Sequence, residues 1–75
     1  MYSTLVPEWS SGKTLKEFLS TIAETDDFVQ VHGSGYSESS CIVVLEDRVI
    51  ASTAQSNTIV NTGQSVKIFP MVHGG

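Results

Sequence analysis

Few residues of this 75-residue sequence have types and spacings that can do chemistry, and they collect at its C-terminal end. Gly74 and Gly75 stand last, and their α-carbons carry no side chain. A carboxylate on Gly75 could therefore enter a narrow channel and accept whatever backbone angles the channel imposes. With glycine near 7% of residues, two in a row at a chain end arise by chance in roughly 0.5% of chains. His73, Val72 and Met71 precede them, and Pro70 stands at the base of the segment. Proline cannot donate to a sheet ladder and has a fixed φ, so Pro70 separates a preceding strand from a mobile end. From Pro70 to Gly75 the chain can reach roughly 20 Å. A carboxylate presented in this way is a group for another protein to activate.

The remaining candidates are weaker. Ser3, Ser10 and Ser11 form no triad with a histidine and an aspartate, and His32 has no partner at metal-ligand spacing and is expected in solvent. His73 is a spacer rather than a fixed base, because a mobile tail cannot hold one. Cys41 heads an apolar run and reads as a core residue rather than a sulfur-handling thiol. Trp9 reads as a lid on the core edge. Glu24, Asp26 and Asp27 cluster where the predicted helix ends, unfavourably for its dipole, and either face a basic partner or are simply solvated. Phe69, Pro70 and Met71 lie beside the tail, and an exposed aromatic next to a methionine suits a partner-docking patch. No catalytic residue and no metal site is expected.

Composition narrows the classes. A chain of this length buries only about 60% of its unfolded surface, enough for one sheet and one helix but not for a deep catalytic cleft. Eight acidic residues against four Lys and Arg give a formal charge of −4. That balance argues against nucleic acid, whose binding rests on neutralising phosphates. It suits either docking on a basic protein surface or a solvated exterior. One cysteine excludes an internal disulfide and points to the cytoplasm. No apolar run approaches the roughly 20 residues of a membrane span, and the first residues do not resemble a signal peptide.

The elements that must position the tail are legible in outline. Tyr2–Val6 reads as a first strand stopped by Pro7, with a brief second strand around Glu8–Ser10 only weakly signalled. Thr14-Leu15-Lys16-Glu17 fits a capping box, and Leu15, Phe18, Leu19, Ile22 and Ala23 share one face of a helix ending near Ala23 or Glu24. Phe28, Val29 and Val31 suit a short strand or a packed loop, followed by a Gly/Ser-rich segment from His32 to Ser37. Cys41–Leu45 is dense in β-branched residues and reads as a buried strand, turned by Glu46-Asp47 into a second over Arg48–Ala51. Ile59 and Val60 are expected to plug the core. Ser65–Phe69 is the last strand, with Val66 and Ile68 on one face and Lys67 and Phe69 on the other. The expectation is one α+β domain over residues 1–75: a β-grasp, with a mixed sheet of four or five strands, one main helix across it, and residues 70–75 as an extended tail. In that arrangement the first and last strands are a parallel central pair.

The segment from Gly63 to Gly75 resembles the closing strand and tail of the ubiquitin-like sulfur carriers, the molybdopterin-synthase small subunits and thiamine sulfur-carrier proteins. Those close with a Gly-Asp turn, a Val-x-Ile strand, one or two prolines and Gly-Gly. The helix opening Thr14-Leu15-Lys16-Glu17-Phe18-Leu19 is similar to their Thr-Leu-x-Glu-Leu-Leu, and Val44–Val49 to their Val-Asn-x-x-x-Val hairpin. Gln64 stands where the family has aspartate, and Pro7-Glu8-Trp9-Ser10 replaces its first Asn-Gly hairpin. The resemblance implies a carrier without catalysis of its own and without a bound cofactor. A ubiquitin-activating-like enzyme would use ATP to adenylate the Gly75 carboxylate. A cysteine desulfurase or rhodanese would then supply sulfur to form a thiocarboxylate, and a synthase subunit would accept it. The Ile68-Phe69-Pro70-Met71 stretch is closer to the molybdopterin type than to the thiamine type. Three alternatives stay open: a protein modifier conjugated through Gly75, a β-grasp binding module with an incidental tail, and a small enzyme.

Overall fold

The computed structural model describes residues 1–33 and 41–70. Its main helix starts where the sequence supplies a cap. The Glu17 N–H donates to Thr14 Oγ1 at 3.1 Å, while Glu17 Oε1 accepts from the Thr14 N–H at 3.2 Å and from its hydroxyl at 2.9 Å. This box satisfies backbone donors that a helix start leaves open. Helix α1 follows over Leu15–Ile22 and buries Leu15, Phe18, Leu19 and Ile22 on one face.

The sheet has four strands: β1 (Tyr2–Leu5), β2 (Cys41–Leu45), β3 (Arg48–Ile50) and β4 (Ser65–Pro70), in the order β1-β4-β2-β3. Glu46 and Asp47 join β2 to β3 with φ of 48° and 68°. Positive φ at both positions gives the primed turn whose twist matches its flanking strands. The core is one cluster in which the buried face of α1 meets Val6, Phe28, Val43, Leu45, Val60, Val66 and Ile68. Val60 is fully buried, whereas Ile59, expected beside it in the core, is half exposed. Ile59 bridges Thr14 through the backbone, and its neighbour takes the inward position.

Three expectations are corrected. Glu8–Ser10 is a 3₁₀ turn, so the second strand does not form. Every pairing in the sheet is antiparallel, including β1 with β4, so the sheet is not mixed and β1 lies at its edge. The reason is a matter of ends. The N–H of Leu15 bonds the Thr58 carbonyl and that of Gly12 the Val60 carbonyl, which puts the start of α1 at the end of the sheet where β4 begins. A first strand parallel to β4 would finish at the opposite end and need a returning strand to reach that helix start. Without a second strand, β1 must itself finish beside the start of β4, and Leu5 does face Ser65.

The third correction is a second helix. Phe28, Val29 and Val31 belong to α2 (Asp26–His32), capped by Thr25, whose Oγ1 accepts from the Phe28 N–H. Asp26 and Asp27 therefore sit in a first helical turn, where carboxylates are favourable to the dipole. Gly33, with φ of 79°, closes the helix. His32 is half-buried and stacked on Phe28 at 4.7 Å, not in solvent, and Tyr2 meets the same ring edge-on at 5.3 Å.

Both the aromatic stack and the cap can be tested by substitution. Phe28 is fully buried and joins α2 to the sheet through Tyr2, so Phe28→Ala is expected to cost about 3–5 kcal/mol in chemical denaturation. The Glu17 carboxyl is held below its ordinary pKa, first by the Thr14 backbone N–H, then by the Thr14 hydroxyl and by Lys13. A lowered folded-state pKa means that its contribution is complete above the unfolded value and fades as pH falls through the folded one. The melting-temperature advantage of the native protein over Glu17→Gln should accordingly be present at neutral pH and disappear in acid.

Candidate functional site

The site begins with how β4 is held. Its residues pair with β1 on one side (Tyr2 with Ile68, Thr4 with Val66) and with β2 on the other (Val43 with Ile68, Ile42 with Phe69, Cys41 with Pro70). The turn before it is tight: Gly63 has φ of 86°, and Gln64 Oε1 accepts the Asn61 N–H at 2.8 Å. The glutamine that stands in place of aspartate thus still supplies a side-chain acceptor to close that turn. Glu46 Oε2 accepts the Ser65 N–H at 3.1 Å, tying the start of β4 to the β2–β3 turn.

From this anchored start β4 crosses the centre of the sheet and reaches its other end at Pro70. Met71, Val72, His73, Gly74 and Gly75, the residues expected to form the tail and its docking neighbour, lie outside the described residues. Their root, however, is placed. Pro70 is exposed and faces Cys41 across the ladder, and Cys41 itself packs half-buried against the core.

Alternation of side chains along β4 sends Val66 and Ile68 into the core and Lys67 and Phe69 to the far face. Phe69 is half-buried there, opposite Ile42, and Val44 lies opposite Lys67. Val49 of β3, 70% exposed, is the partner of Val44. The face away from the helices therefore carries Phe69, Ile42, Val44 and Val49 around the single ammonium of Lys67. The outward position expected for Phe69 is correct, and the apolar residues of β2 and β3 beside it are an addition that single-strand reading missed. Their signal was present: in Cys41–Leu45 every second residue must face away from the core.

The other candidates fall elsewhere. Trp9 is 58% exposed and tilted against Phe18 at 6.3 Å, with the Lys13 ammonium 5.8 Å from its ring, which fits a lid at the core edge. Glu24, Asp26 and Asp27 are exposed. Among the described residues no group of three or more His, Cys, Asp or Glu is arranged to hold a metal ion, and no helix is long and apolar enough to cross a membrane.

Residues 3–75 match the model of the ThiS family. The chain belongs to that family. A match over nearly the whole sequence covers β1, both helices and the residues beyond Pro70. Membership of the ThiS family makes the fold a β-grasp, here in a four-stranded antiparallel form with the helices on one face. It also gives the general role, that of a small sulfur carrier which works with an activating enzyme of the ubiquitin-activating type and a sulfur-accepting synthase. No curated protein and no solved structure matches the chain.

The two faces of β4 differ in a way that can be measured. Ile68→Ala is expected to cost about 2–5 kcal/mol, because it opens a cavity in the core. Phe69→Ser on the opposite face is expected to stay within about 1 kcal/mol in the same denaturation experiment.

Proposed function

We propose that this ThiS-family chain carries sulfur as a thiocarboxylate on Gly75. An activating enzyme binds ATP, and an oxygen of the Gly75 carboxylate attacks the α-phosphorus, releasing pyrophosphate. The terminal sulfur of a persulfide on a cysteine desulfurase or rhodanese attacks the resulting acyl adenylate, and AMP leaves. A thiol then cleaves the acyl disulfide so formed, releasing the thiocarboxylate and leaving a disulfide on the donor. The thiocarboxylate then passes its sulfur to a cofactor-building synthase. In this reading the chain is a co-substrate in the cytoplasm and binds no cofactor of its own, and ATP belongs to the activating enzyme.

The observation that carries the reading is the position of β4 within a family match that runs to Gly75. Pairing with β1 and β2 holds the strand from both sides as far as Ile68, pairing with β2 continues to Pro70, and Gly74-Gly75 follows within the residues the family match covers. A firm root with an unbranched tip is what delivery into another protein's active site requires. Phe69, Pro70 and Met71 at that root are proposed to dock on the activating enzyme. The resemblance of Ile68-Phe69-Pro70-Met71 to the molybdopterin type makes that synthase the first acceptor to test and the thiamine type the second.

The experiment is incubation with ATP, an activating enzyme of this type and a sulfur donor, followed by mass analysis of the C-terminal fragment. Exchange of oxygen for sulfur adds about 16 mass units, as methionine oxidation does, so the increment must be localised to Gly75 or shown by retardation on an organomercury gel. Removal of Gly74 and Gly75 should abolish both AMP release and the retarded band. Phe69→Ser should raise the concentration of carrier needed for half-maximal AMP release. Conjugates to other proteins in place of the thiocarboxylate would mark a modifier. Absence of both AMP and thiocarboxylate would overturn the proposal.

A further inference from the structure

Loss of the second strand leaves one side of β1 without a strand partner among the described residues. The Val6 N–H donates to the Gln64 carbonyl at 2.9 Å, which sets the phase of the β1–β4 ladder. By antiparallel alternation Tyr2 and Thr4 then direct their backbone groups to β4, and Met1, Ser3 and Leu5 direct theirs away from the sheet. No other described strand lies along that side. Ser3 is exposed, as are Leu5 (64%) and Met1 (59%). The Leu5 carbonyl receives only a long bond, 3.3 Å, from Thr4 Oγ1, which leaves its second lone pair open.

Sheets usually guard such an edge with a charged side chain, a proline or a bulge. Residues 1–5 contain no charged side chain and no proline. The opposite edge is better protected. β3 is three residues long, begins with Arg48, and by the same alternation presents only the backbone groups of Val49 outward.

We propose that the open edge of β1 pairs with β1 of a second copy of this chain, antiparallel, about a two-fold axis through Ser3. A two-fold makes one edge its own complement. In this register Ser3 faces Ser3, and Met1 of each copy faces Leu5 of the other, so the exposed apolar side chains meet and all outward backbone groups find partners. No charged side chain on the strand repels its twin, although the whole protein carries −4. A contact of four or five residues per copy falls below the roughly 1,200 Å² of stable interfaces, so the association is weak and concentration-dependent. Since β4 is antiparallel to β1, the two β4 strands run in opposite directions and the two Pro70 ends lie at opposite ends of the joined sheet. Self-association of this kind leaves both chain ends clear and does not depend on the sulfur-carrier reading.

Sedimentation velocity on the full chain from roughly 10 µM to 1 mM tests it. The weight-average sedimentation coefficient should rise towards that of a dimer, and the Ser3 and Leu5 amide resonances should shift with concentration. Ser3→Pro removes an outward N–H and touches no bond to β4. Leu5→Lys leaves the backbone intact and places a charge on the edge. Each folded variant should stay monomeric across the range, and Leu5→Lys decides the matter if Ser3→Pro fails to fold. A wild-type chain monomeric at 1 mM, or a Leu5→Lys variant that dimerises like the wild type, would overturn the proposal.

Discussion

Everything in this molecule rests on β4 being hydrogen-bonded from both sides while every second side chain enters the core. Val66 and Ile68 supply much of the floor on which the α1 face packs. The same backbone bonds that place those two residues also fix the point at which the chain leaves the sheet. Burial of a side chain of this size is worth about 1.5–3 kcal/mol, a large fraction of the stability a domain this small can have. The root of the tail is thus continuous with a strand that the core holds in place as far as Ile68 and that β2 pairs as far as Pro70.

That constraint also explains the unusual sheet. The helix α1 is committed to the end where β4 starts, through the bonds of Gly12 and Leu15 to Val60 and Thr58. A first strand can satisfy that commitment in two ways, as half of a hairpin with a parallel outer strand or alone and antiparallel. Pro7 removes one ladder donor, and Glu8–Ser10 closes into a 3₁₀ turn, so the hairpin cannot form. The single strand takes the second solution and keeps the helix, the β2–β3 hairpin and β4 where a β-grasp needs them.

Much of this was readable in the residues. The capping box at Thr14 with the stripe from Leu15 to Ile22 specifies a helix twice over, and β-branched density marks Cys41–Leu45. Period two then decides which way Phe69 points. Strand direction was not readable, because it depends on which end of the sheet the chain occupies after Leu5, a long-range fact carried by a short polar segment. Helix α2 was missed for another reason. Only Phe28 of its seven residues is buried, so it has no stripe, and the β-branched Val29 and Val31 mimic a strand. The signal that would have found it is terminal rather than periodic: Thr25 before two aspartates, and Gly33 after the last turn. Ile59 and Val60 are alike in type, and only the bridge to Thr14 settles which is inside. For the site, the sequence located the root at Pro70 and the outward aromatic beside it, but the apolar company of Ile42, Val44 and Val49 needed the pairing of three strands.

Parity along the strands then divides the work of the protein. In β4 Val66 and Ile68 belong to the core and Lys67 and Phe69 to the open face; in β2 the parity is reversed, and register brings Ile42 beside Phe69. A carrier recognised in turn by an activating enzyme and an acceptor must keep its surface free to be shaped by partners. It must also lose no stability as that surface changes. A sheet with both helices on one face meets both demands, because residues one position apart answer to different requirements. The cost is a face that carries the apolar side chains of Phe69, Ile42, Val44 and Val49, which favours brief contacts with large partners over isolation. Such a surface suits a small carrier that works with an activating enzyme and a sulfur-accepting synthase.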